Sequence, residues 1–107
     1  MATDGLTSGT PVPEEHAIVS ARRYESTKIQ ITYLGGPDAD HLIELQTSVI
    51  TKIGSVNIQS MGSRSDTTPV KIGGTDIFQG PYTETVHVTS TAYYVNGTHR
   101  DVLDVRI

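Results

Sequence analysis

Two carboxylates stand close together in the sequence PDAD, residues 37–40, and could contribute to a cation site. Hard cations such as calcium take several oxygen ligands from a short loop, and this stretch lacks the glycine and the distant glutamate of an EF-hand. The preceding Gly35 and Gly36 permit positive φ, and Asp38 can cap its own backbone. We therefore interpret these residues as a structural turn and predict no metal site.

Residues with catalytic potential show no active-site spacing either. The histidines fall in no metal-ligand pattern: His16, His41, His87 and His99. Asp101 and Asp104 are three residues apart on a predicted strand, which sends their side chains to opposite faces and separates them as an acid–base pair. The chain contains neither a GxSxG nucleophile motif nor a phosphate-binding glycine motif. The sequence predicts no catalytic residue, no cofactor and no small-molecule substrate, so we expect that the protein is not an enzyme.

The sequence Asn96-Gly97-Thr98 has two interpretations that do not compete. Asn-Gly is a favoured pair in type I′ turns, where both central residues need positive φ. The three residues also form an Asn-x-Thr acceptor for an N-linked glycan if the protein passes through a glycosylating pathway. We predict a type I′ hairpin with Asn96 as a glycosylation site at its tip.

Tyrosine rings could stack on a sugar, although the chain has no tryptophan to strengthen such a site. Tyr93 and Tyr94 are adjacent, and neighbouring residues of a strand point to opposite faces. At most one of the pair therefore lies in the core. The tyrosines are interpreted as structural in preference to a carbohydrate site.

Alternating apolar and polar residues predict the strands that hold these turns. In STKIQITYLGG, residues 26–36, the apolar side chains Ile29, Ile31 and Tyr33 follow a period of two. Residues 41–54 repeat the pattern with an inward and an outward row: Ile43, Leu45, Thr47 and Val49 against Glu44, Gln46 and Ser48. A helix competes in this segment, but its threonine, serine, valine and isoleucine content favours a strand.

The remaining elements are shorter. Residues 55–61 predict a strand, residues 62–69 a polar loop, and residues 70–84 extended pieces interrupted by glycine. The final hairpin has a predicted buried row on both strands: Val86, Val88, Ala92 and Tyr94 opposite Leu103, Val105 and Ile107. If the last strand lies at a sheet margin, Asp104 and Arg106 on its exposed row would oppose unwanted strand pairing.

Five or more short strands joined by glycine and proline turns predict an all-β fold, either an antiparallel immunoglobulin-like sandwich or a small barrel. A length of 107 residues suits one domain, which we place at residues 17–107. Residues 1–16 predict a flexible leader or a segment introduced for expression. A partly helical stretch is expected around residues 14–24, where Ile18 and Val19 would end a longer helix.

Composition excludes several functional classes. The formal net charge is −4, and Arg22-Arg23 is the only adjacent basic pair, which argues against nucleic-acid binding. No run approaches the ~20 apolar residues that cross a bilayer, and no secretory signal pattern opens the chain. We expect a soluble, monomeric fragment. The absence of cysteine leaves the redox compartment open.

Three features occur in order along residues 21–107. A strand runs into a Gly-Gly-x-Asp-Ala turn at residues 35–39, a late strand is followed by Asn96-Gly97-Thr98, and Val102-Leu103-Asp104 belongs to a terminal strand. In this order the features resemble the N-terminal domain family of archaeal type IV pilins.

The resemblance implies the globular head domain of a structural subunit in an archaeal pilus-like surface filament used in adhesion. Family members carry a class III signal peptide and a long apolar helix, so the implied partners are other pilin subunits bound through an N-terminal helix. The present sequence shows neither feature, and we expect truncation to have removed them. The implied localisation is extracellular, with membrane anchoring before assembly. The alternative is a glycan- or protein-binding sandwich module of a larger secreted or virion protein.

Overall fold

A computed structural model describes residues 17–107, and the predicted leader at residues 1–16 lies outside the described residues. The described residues form seven strands and one 3-10 turn: β1 Ile18–Tyr24, β2 Lys28–Gly35, the turn Ala39–His41, β3 Leu42–Ile50, β4 Val56–Gly62, β5 Thr75–Phe78, β6 His87–Tyr94 and β7 His99–Arg106. Within this part of the chain, no helix has the length and apolar character needed to span a membrane.

The strands form two antiparallel sheets, with the orders β1-β2-β5 and β4-β3-β6-β7. This topology corresponds to the constant-type immunoglobulin order, ABED and CFG, with the fourth strand moved to the second sheet. The apolar core lies between the sheets. The predicted all-β antiparallel sandwich is therefore confirmed.

β2 supplies the centre of the first sheet, as its alternating pattern predicts. Ile29, Ile31 and Tyr33 are fully buried, while the residues between them are only partly covered. Side chains of a strand alternate between its faces, so one row enters the core and the other faces outward. The inward prediction for these three residues is confirmed.

The prediction of a partly helical stretch around residues 14–24 is wrong for the part that the structure describes. Residues 14–16 lie outside the described residues. Ile18 to Tyr24 form a strand that pairs with β2 along its whole length. Val19 lies opposite Tyr33 and Arg23 lies opposite Ile29, so the inward row of β1 packs beside the buried row of β2. The β-branched residues at the start of β1 suit this pleated surface, and the added strand covers apolar core that a helix end would leave open.

β3 is a strand as predicted, but its first residues differ from the prediction. The pairing with β6 shifts between Leu42 and Glu44, as in a β-bulge. Leu42 consequently joins the core, whereas Ile43 is buried outside the core cluster and Glu44 is only 6% exposed. The predicted inward position of Ile43 is wrong, because the bulge places Leu42 in the core instead. Glu44 faces outward as predicted, opposite Tyr93, although Arg64 covers it.

The middle of β3 holds a polar pair inside the core. Thr47 and its pairing partner Ser90 on β6 are 0% and 1% exposed, and their hydroxyl oxygens lie 2.7 Å apart. Each hydroxyl therefore finds a partner without reaching water. Leu45 and Val49 flank this pair and are fully buried, which confirms the inward row from Leu45 to Val49.

The final hairpin confirms the first buried row: Val86, just before β6, and Val88, Ala92 and Tyr94 on β6 have exposures between 0% and 8%. Leu103, Val105 and Ile107 are only partly buried and pack at the margin of the core, because β7 is the edge strand of its sheet. Asp104 and Arg106 are exposed on β7, as predicted.

A second bulge corrects the prediction for Asp101 and Asp104. The pairing of β6 with β7 shifts between Ser90 and Thr91, so Asp101 lies opposite Thr91 and Asp104 lies opposite Thr89. Thr89 and Thr91 share one face of β6 because they are two residues apart. Both carboxylates therefore lie on the outer face of the sheet, and the extra residue, Val102, is the one that strict alternation overlooks.

Candidate functional site

The two ends of the sandwich differ in how their polar groups are bonded. We call them the Arg23 end, which contains the β1–β2 turn and residues 81–86, and the Asn96 end, which contains residues 35–41 and the loop 95–97. At the Arg23 end, the Arg23 guanidinium donates to four backbone carbonyls: Ser26 at 3.0 Å, Tyr82 at 2.6 Å, Glu84 at 2.6 Å and Ile107 at 3.3 Å. The Arg23 side chain therefore links the backbone segments that meet at this end.

The Asn96 end begins with the turn that the glycines predict. Gly35 and Gly36 have φ of +94° and +146°, values that favour glycine. The 3-10 turn follows, with the N–H of His41 donating to the carbonyl of Asp38 at 3.0 Å. The Asp38 side chain makes no capping hydrogen bond to this turn, so the predicted self-capping role of Asp38 is wrong. The positive-φ glycines and the backbone bond from His41 to Asp38 define the conformation of the turn.

The loop between β6 and β7 corrects the predicted turn type. Only Gly97 has positive φ, at +91°, whereas a type I′ turn would require it at Asn96 as well. The N–H of Gly97 donates to the carbonyl of Tyr94 at 3.0 Å, and the N–H of Tyr94 donates to the carbonyl of Thr98 at 2.9 Å. This pattern is that of a three-residue loop with glycine in the left-handed position. The Asn-Gly pair located the hairpin correctly but not its conformation.

Asn96 is exposed at the tip of this loop. Its Oδ1 accepts hydrogen bonds from the backbone N–H of Thr98 at 3.0 Å and from the Thr98 hydroxyl at 2.7 Å. Both bonds hold the amide through its oxygen, as in other side-chain turns of asparagine. Glycosylation of Asn96 stays a prediction.

The turn and the loop are bonded to each other. The N–H of Val95 donates to the carbonyl of His41 at 2.8 Å, which joins two segments far apart in the sequence. All five residues predicted as turn motifs consequently lie at the same end of the molecule: Gly35, Gly36, Asp38, Asn96 and Gly97.

A cavity of about 350 Å³ lies between these segments. Asp38 and His41 line it from the turn, and Tyr94 lines it from the end of β6. The far side carries side chains of the loop and of the start of β7: Asn96, Thr98, His99 and Arg100. The wall therefore offers a carboxylate, imidazoles, an amide, hydroxyls and a guanidinium within one concave surface.

Two buried phenols at this end have no partner for their hydroxyls. Among the described side chains, Tyr33 and Tyr94 each bury an OH group that makes no hydrogen bond, although Tyr33 is 0% and Tyr94 only 8% exposed. Leaving such a group unsatisfied costs roughly 1–3 kcal/mol. Asp76 Oδ2 on β5 is the third such atom in residues 17–107, and it lies outside this end.

The electrostatics of the phenols reflect their burial. Burial raises the pKa of Tyr33, and the Asp40 carboxylate adds to the effect. Burial also raises the pKa of Tyr94, where Asp38 contributes in the same direction and Arg100 opposes it. Burial is the main cause of both shifts, and the nearby charges of Asp38 and Arg100 act on Tyr94 in opposite directions.

A cluster that sequence analysis missed lies on the outer face beside the loop. Glu44 Oε1 accepts from the backbone N–H of Arg64 at 3.1 Å and from its Nε at 2.9 Å. The Arg64 guanidinium lies 4.2 Å from the centre of the Tyr93 ring. Tyr93 therefore faces outward while Tyr94 enters the core, as predicted. No sequence signal marked this cluster, because Arg64 reaches it from a polar loop distant in sequence.

The remaining candidate residues bond to neighbouring side chains on the outer face. Across residues 17–107, no group of three or more histidine, aspartate or glutamate side chains could hold a metal ion. His87 Nε2 lies 2.5 Å from Asp104 Oδ1 on the outer face, and His16 lies outside the described residues. Thr91 donates to Asp101 at 3.2 Å. These aspartates thus contact neighbouring strand residues rather than converging on a cleft.

Comparison with known proteins leaves the site to be interpreted from its own chemistry. No family model, no curated protein and no solved structure matches the chain.

Proposed function

We propose that the chain is the globular head domain of a structural subunit in an archaeal type IV pilus-like surface filament, with adhesion as its use. Its partners would be further copies of the subunit, joined through an apolar helix of the full-length protein, and its location would be extracellular. The role involves no catalytic step, cofactor or nucleic acid.

The hydrogen bond between the two turn motifs carries this proposal. The Gly35-Gly36-x-Asp38 motif and the Asn96-Gly97-Thr98 motif are about sixty residues apart, yet the N–H of Val95 donates to the carbonyl of His41 between them. Short turn motifs occur by chance in unrelated β proteins. Motifs that form one bonded end of a domain are more informative, because their order and spacing are then set by a single fold.

The third motif supports the same interpretation. Val102-Leu103-Asp104 lies in β7, which pairs with β6 directly after the Asn96 loop and forms an edge of its sheet. A domain displayed on a filament must resist pairing with neighbouring edges. The bulge at Val102 and the exposed Asp101, Asp104 and Arg106 are features that discourage such pairing.

Two observations on the source cells test the proposal. Antibodies raised against residues 17–107 should label surface filaments in immunogold electron microscopy. The natural gene should encode a run of about 20 apolar residues, behind a short basic leader, before the codon of Ala17. Labelling confined to the cell interior, or a natural gene with a hydrophilic start and no such run, would show that the proposal is wrong.

The cavity at the Asn96 end favours a binding module as the second candidate function. A module of a larger secreted or virion protein would use the cavity for a ligand whether or not the chain belongs to a filament. The two candidates differ in location: filament labelling supports the first, and a soluble or virion-associated product supports the second.

A further inference from the structure

We propose that two copies of the chain associate by pairing their β4 strands antiparallel across a two-fold axis. The inference goes beyond the filament assignment and does not depend on it, because it rests on the edges of the two sheets. The surface is the free margin of β4, Val56–Gly62, which has β3 on its other side. The partner is the same strand of a second copy.

Three of the four edge strands formed by residues 17–107 have features that oppose pairing with another strand. The edges are β1 and β5 in the first sheet and β4 and β7 in the second. Short length, bulges, exposed charges and inward-pointing charges are the usual protective features. β1 has a register shift after Ile18 and an exposed Arg22, and β7 has a bulge flanked by exposed charged residues.

β5 is protected by its length and by Asp76. The strand has four residues, Thr75–Phe78. Asp76 lies opposite the buried Ile31, and its Oδ2 is buried without a hydrogen-bond partner among the described residues. Another strand beside β5 would remove more water from this carboxyl, which is unfavourable.

β4 shows none of these features. It has seven residues and pairs with β3 without a register shift, and residues 53–63 contain no charged side chain and no proline. Val56 and Ile58 on its outer face are 53% and 56% exposed. An uncharged strand of this length with exposed β-branched side chains is the type of edge to which another strand adds.

The inward row of β4 is bonded within the domain. Asn57 Nδ2 donates to the Tyr82 hydroxyl at 2.9 Å, and Gln59 Nε2 donates to the carbonyl of Ile77 at 3.0 Å. Both donors are side chains, so these bonds leave the backbone edge of β4 open.

The free backbone groups of β4 belong to alternate residues, because hydrogen-bonded and non-bonded pairs alternate along an antiparallel ladder. The N–H of Thr51 donates to the carbonyl of Ser55 at 2.9 Å, and that of Ser63 donates to the carbonyl of Ile43 at 3.0 Å. These bonds set the phase of the ladder between β3 and β4. The residues of β4 that direct N–H and C=O groups away from β3 are therefore Val56, Ile58 and Ser60.

These three residues determine the register with a second copy. Ile58 is the middle one, so the pairing that uses all three places Ile58 opposite its own copy and Val56 opposite Ser60. Each bonded pair of an antiparallel ladder exchanges two hydrogen bonds. Identical strands without charge also meet no like-charge repulsion across the axis. The edge is therefore complementary to itself.

The size of the contact sets the expected affinity. The seven residues of β4 are fewer than the roughly 20 to 30 residues on each side of a standard stable interface. We therefore expect reversible association with a dissociation constant of roughly 0.1–1 mM. The chain is then monomeric in dilute solution and pairs where copies are concentrated.

The test is a concentration series of the 107-residue chain from roughly 0.02 to 1 mM, a range that spans the expected dissociation constant. The rotational correlation time from NMR relaxation should rise with concentration, and amide shifts should concentrate at Val56, Ile58 and Ser60. A correlation time that stays constant would overturn the proposal and leave this edge to a strand of a different protein.

Ile58→Lys is the key variant, because it places two like charges opposite each other at the two-fold axis. Association should weaken at least about tenfold, with amide shifts distant from β4 unchanged. The matched control Leu34→Lys makes a similar change at a 51% exposed position of the other sheet and should associate as the parent does. Equal association of Ile58→Lys and the parent would contradict the proposal, and so would equal losses in both variants.

The register has its own test, since the chain contains no cysteine. Under mild oxidation with oxidised glutathione, a mixture of Val56→Cys and Ser60→Cys should form disulfide-linked dimers several-fold faster than either variant alone. Bonded residues of paired strands have Cα atoms about 5.5 Å apart, which suits a disulfide. Faster cross-linking of either variant with itself would show that the proposed pairing is wrong. Filament labelling of cells has no bearing on these results, so the two proposals can fail separately.

Discussion

The two ends of the sandwich treat their buried polar groups in opposite ways. At the Arg23 end, one guanidinium donates to backbone carbonyls in three separate segments of the chain, at Ser26, at Tyr82 and Glu84, and at Ile107. At the Asn96 end, the hydroxyls of Tyr33 and Tyr94 have no partner in the described part of the chain. One end therefore satisfies its backbone carbonyls with a side chain, whereas the other buries two phenol oxygens without a hydrogen-bond partner among the described residues.

This difference predicts that the two ends contribute unequally to the stability of the domain. A satisfied, charge-assisted network raises the free energy of unfolding, while unsatisfied buried groups lower it. Substitutions at the Arg23 end should therefore change stability alone. Substitutions at the Asn96 end should have smaller or opposite effects on stability.

The largest effect is expected for Arg23→Met, which keeps a long apolar side chain but removes the hydrogen bonds that Arg23 donates to the four carbonyls. We expect the free energy of unfolding to fall by about 2–4 kcal/mol, because bonds to a charged donor are lost and their carbonyls are left partly buried. Urea denaturation measures this change. In the control Arg22→Met, the replaced residue is exposed and has a side-chain bond to Gln30, so the change should stay within about 0.5 kcal/mol. Similar losses in both variants would show that the hydrogen bonds of Arg23 to the four carbonyls make no special contribution to stability.

The next effect is expected for Gly97→Val at the Asn96 end. Gly97 has φ of +91°, and a Cβ there would meet no atom within 4 Å. The loss of stability, about 1–2 kcal/mol, would come from backbone strain alone. Gly97→Asn is the control and should lose less, because asparagine tolerates this conformation. An unchanged melting temperature for Gly97→Val would contradict the observed loop.

Ser26→Gly should act in the opposite direction in the hairpin at the Arg23 end. Glu25 and Ser26 have φ of +53° and +57° although neither is glycine. Glycine would relieve strain of about 1–2 kcal/mol at Ser26, offset by its greater freedom in the unfolded chain, roughly 0.5–1 kcal/mol. We expect a net gain of about 0.5 kcal/mol, measured by thermal unfolding. A loss of stability would mean that Ser26 supports this turn through its side chain.

The smallest effect at neutral pH is expected for Tyr94→Phe, which should change the free energy of unfolding by less than about 1 kcal/mol. The alkaline range is more informative. The pKa of Tyr94 is raised above its ordinary value of 10.0 in the folded state, so the folded chain holds the phenol proton more tightly than the unfolded chain does. The contribution of Tyr94 to the free energy of unfolding is fully present below the pKa of the unfolded state, and it is lost as the pH rises through the pKa of the folded state. Tyr94→Phe should therefore lose less stability than the parent above pH 10, in urea denaturation series at several pH values. Equal losses would contradict the burial of this phenol.

The strands were predictable where alternation decides the outcome. β2 follows a strict period of two, and Tyr93 and Tyr94 separate to opposite faces for the same reason. The predictions failed where one extra residue breaks the alternation, at Ile43 and at Val102, since nothing in the local sequence marks a bulge. β1 was missed because its inward row includes Arg23, which alternation alone would not assign to the core side.

The candidate site was predictable in part. The glycine and asparagine turns were located correctly from local chemistry, because positive φ is a property of single residues. Their proximity was not predictable, since the bond from Val95 to His41 depends on how β3 and β6 align. The unsatisfied Tyr94 hydroxyl likewise depends on the surrounding packing, which no short stretch of sequence encodes.

The hydroxyl pair in the core has a consequence for that alignment. Sliding β3 along β6 by two residues would keep every apolar side chain on the inner face, so hydrophobic burial alone would tolerate the error. The slide would separate Thr47 from Ser90 and leave two buried hydroxyl groups without a hydrogen-bond partner, which would lower the free energy of unfolding. The pair thus selects one alignment among several of similar apolar content. Because β3 starts and β6 ends at the Asn96 end, the same selection brings the turn against the loop and so determines the shape of the cavity.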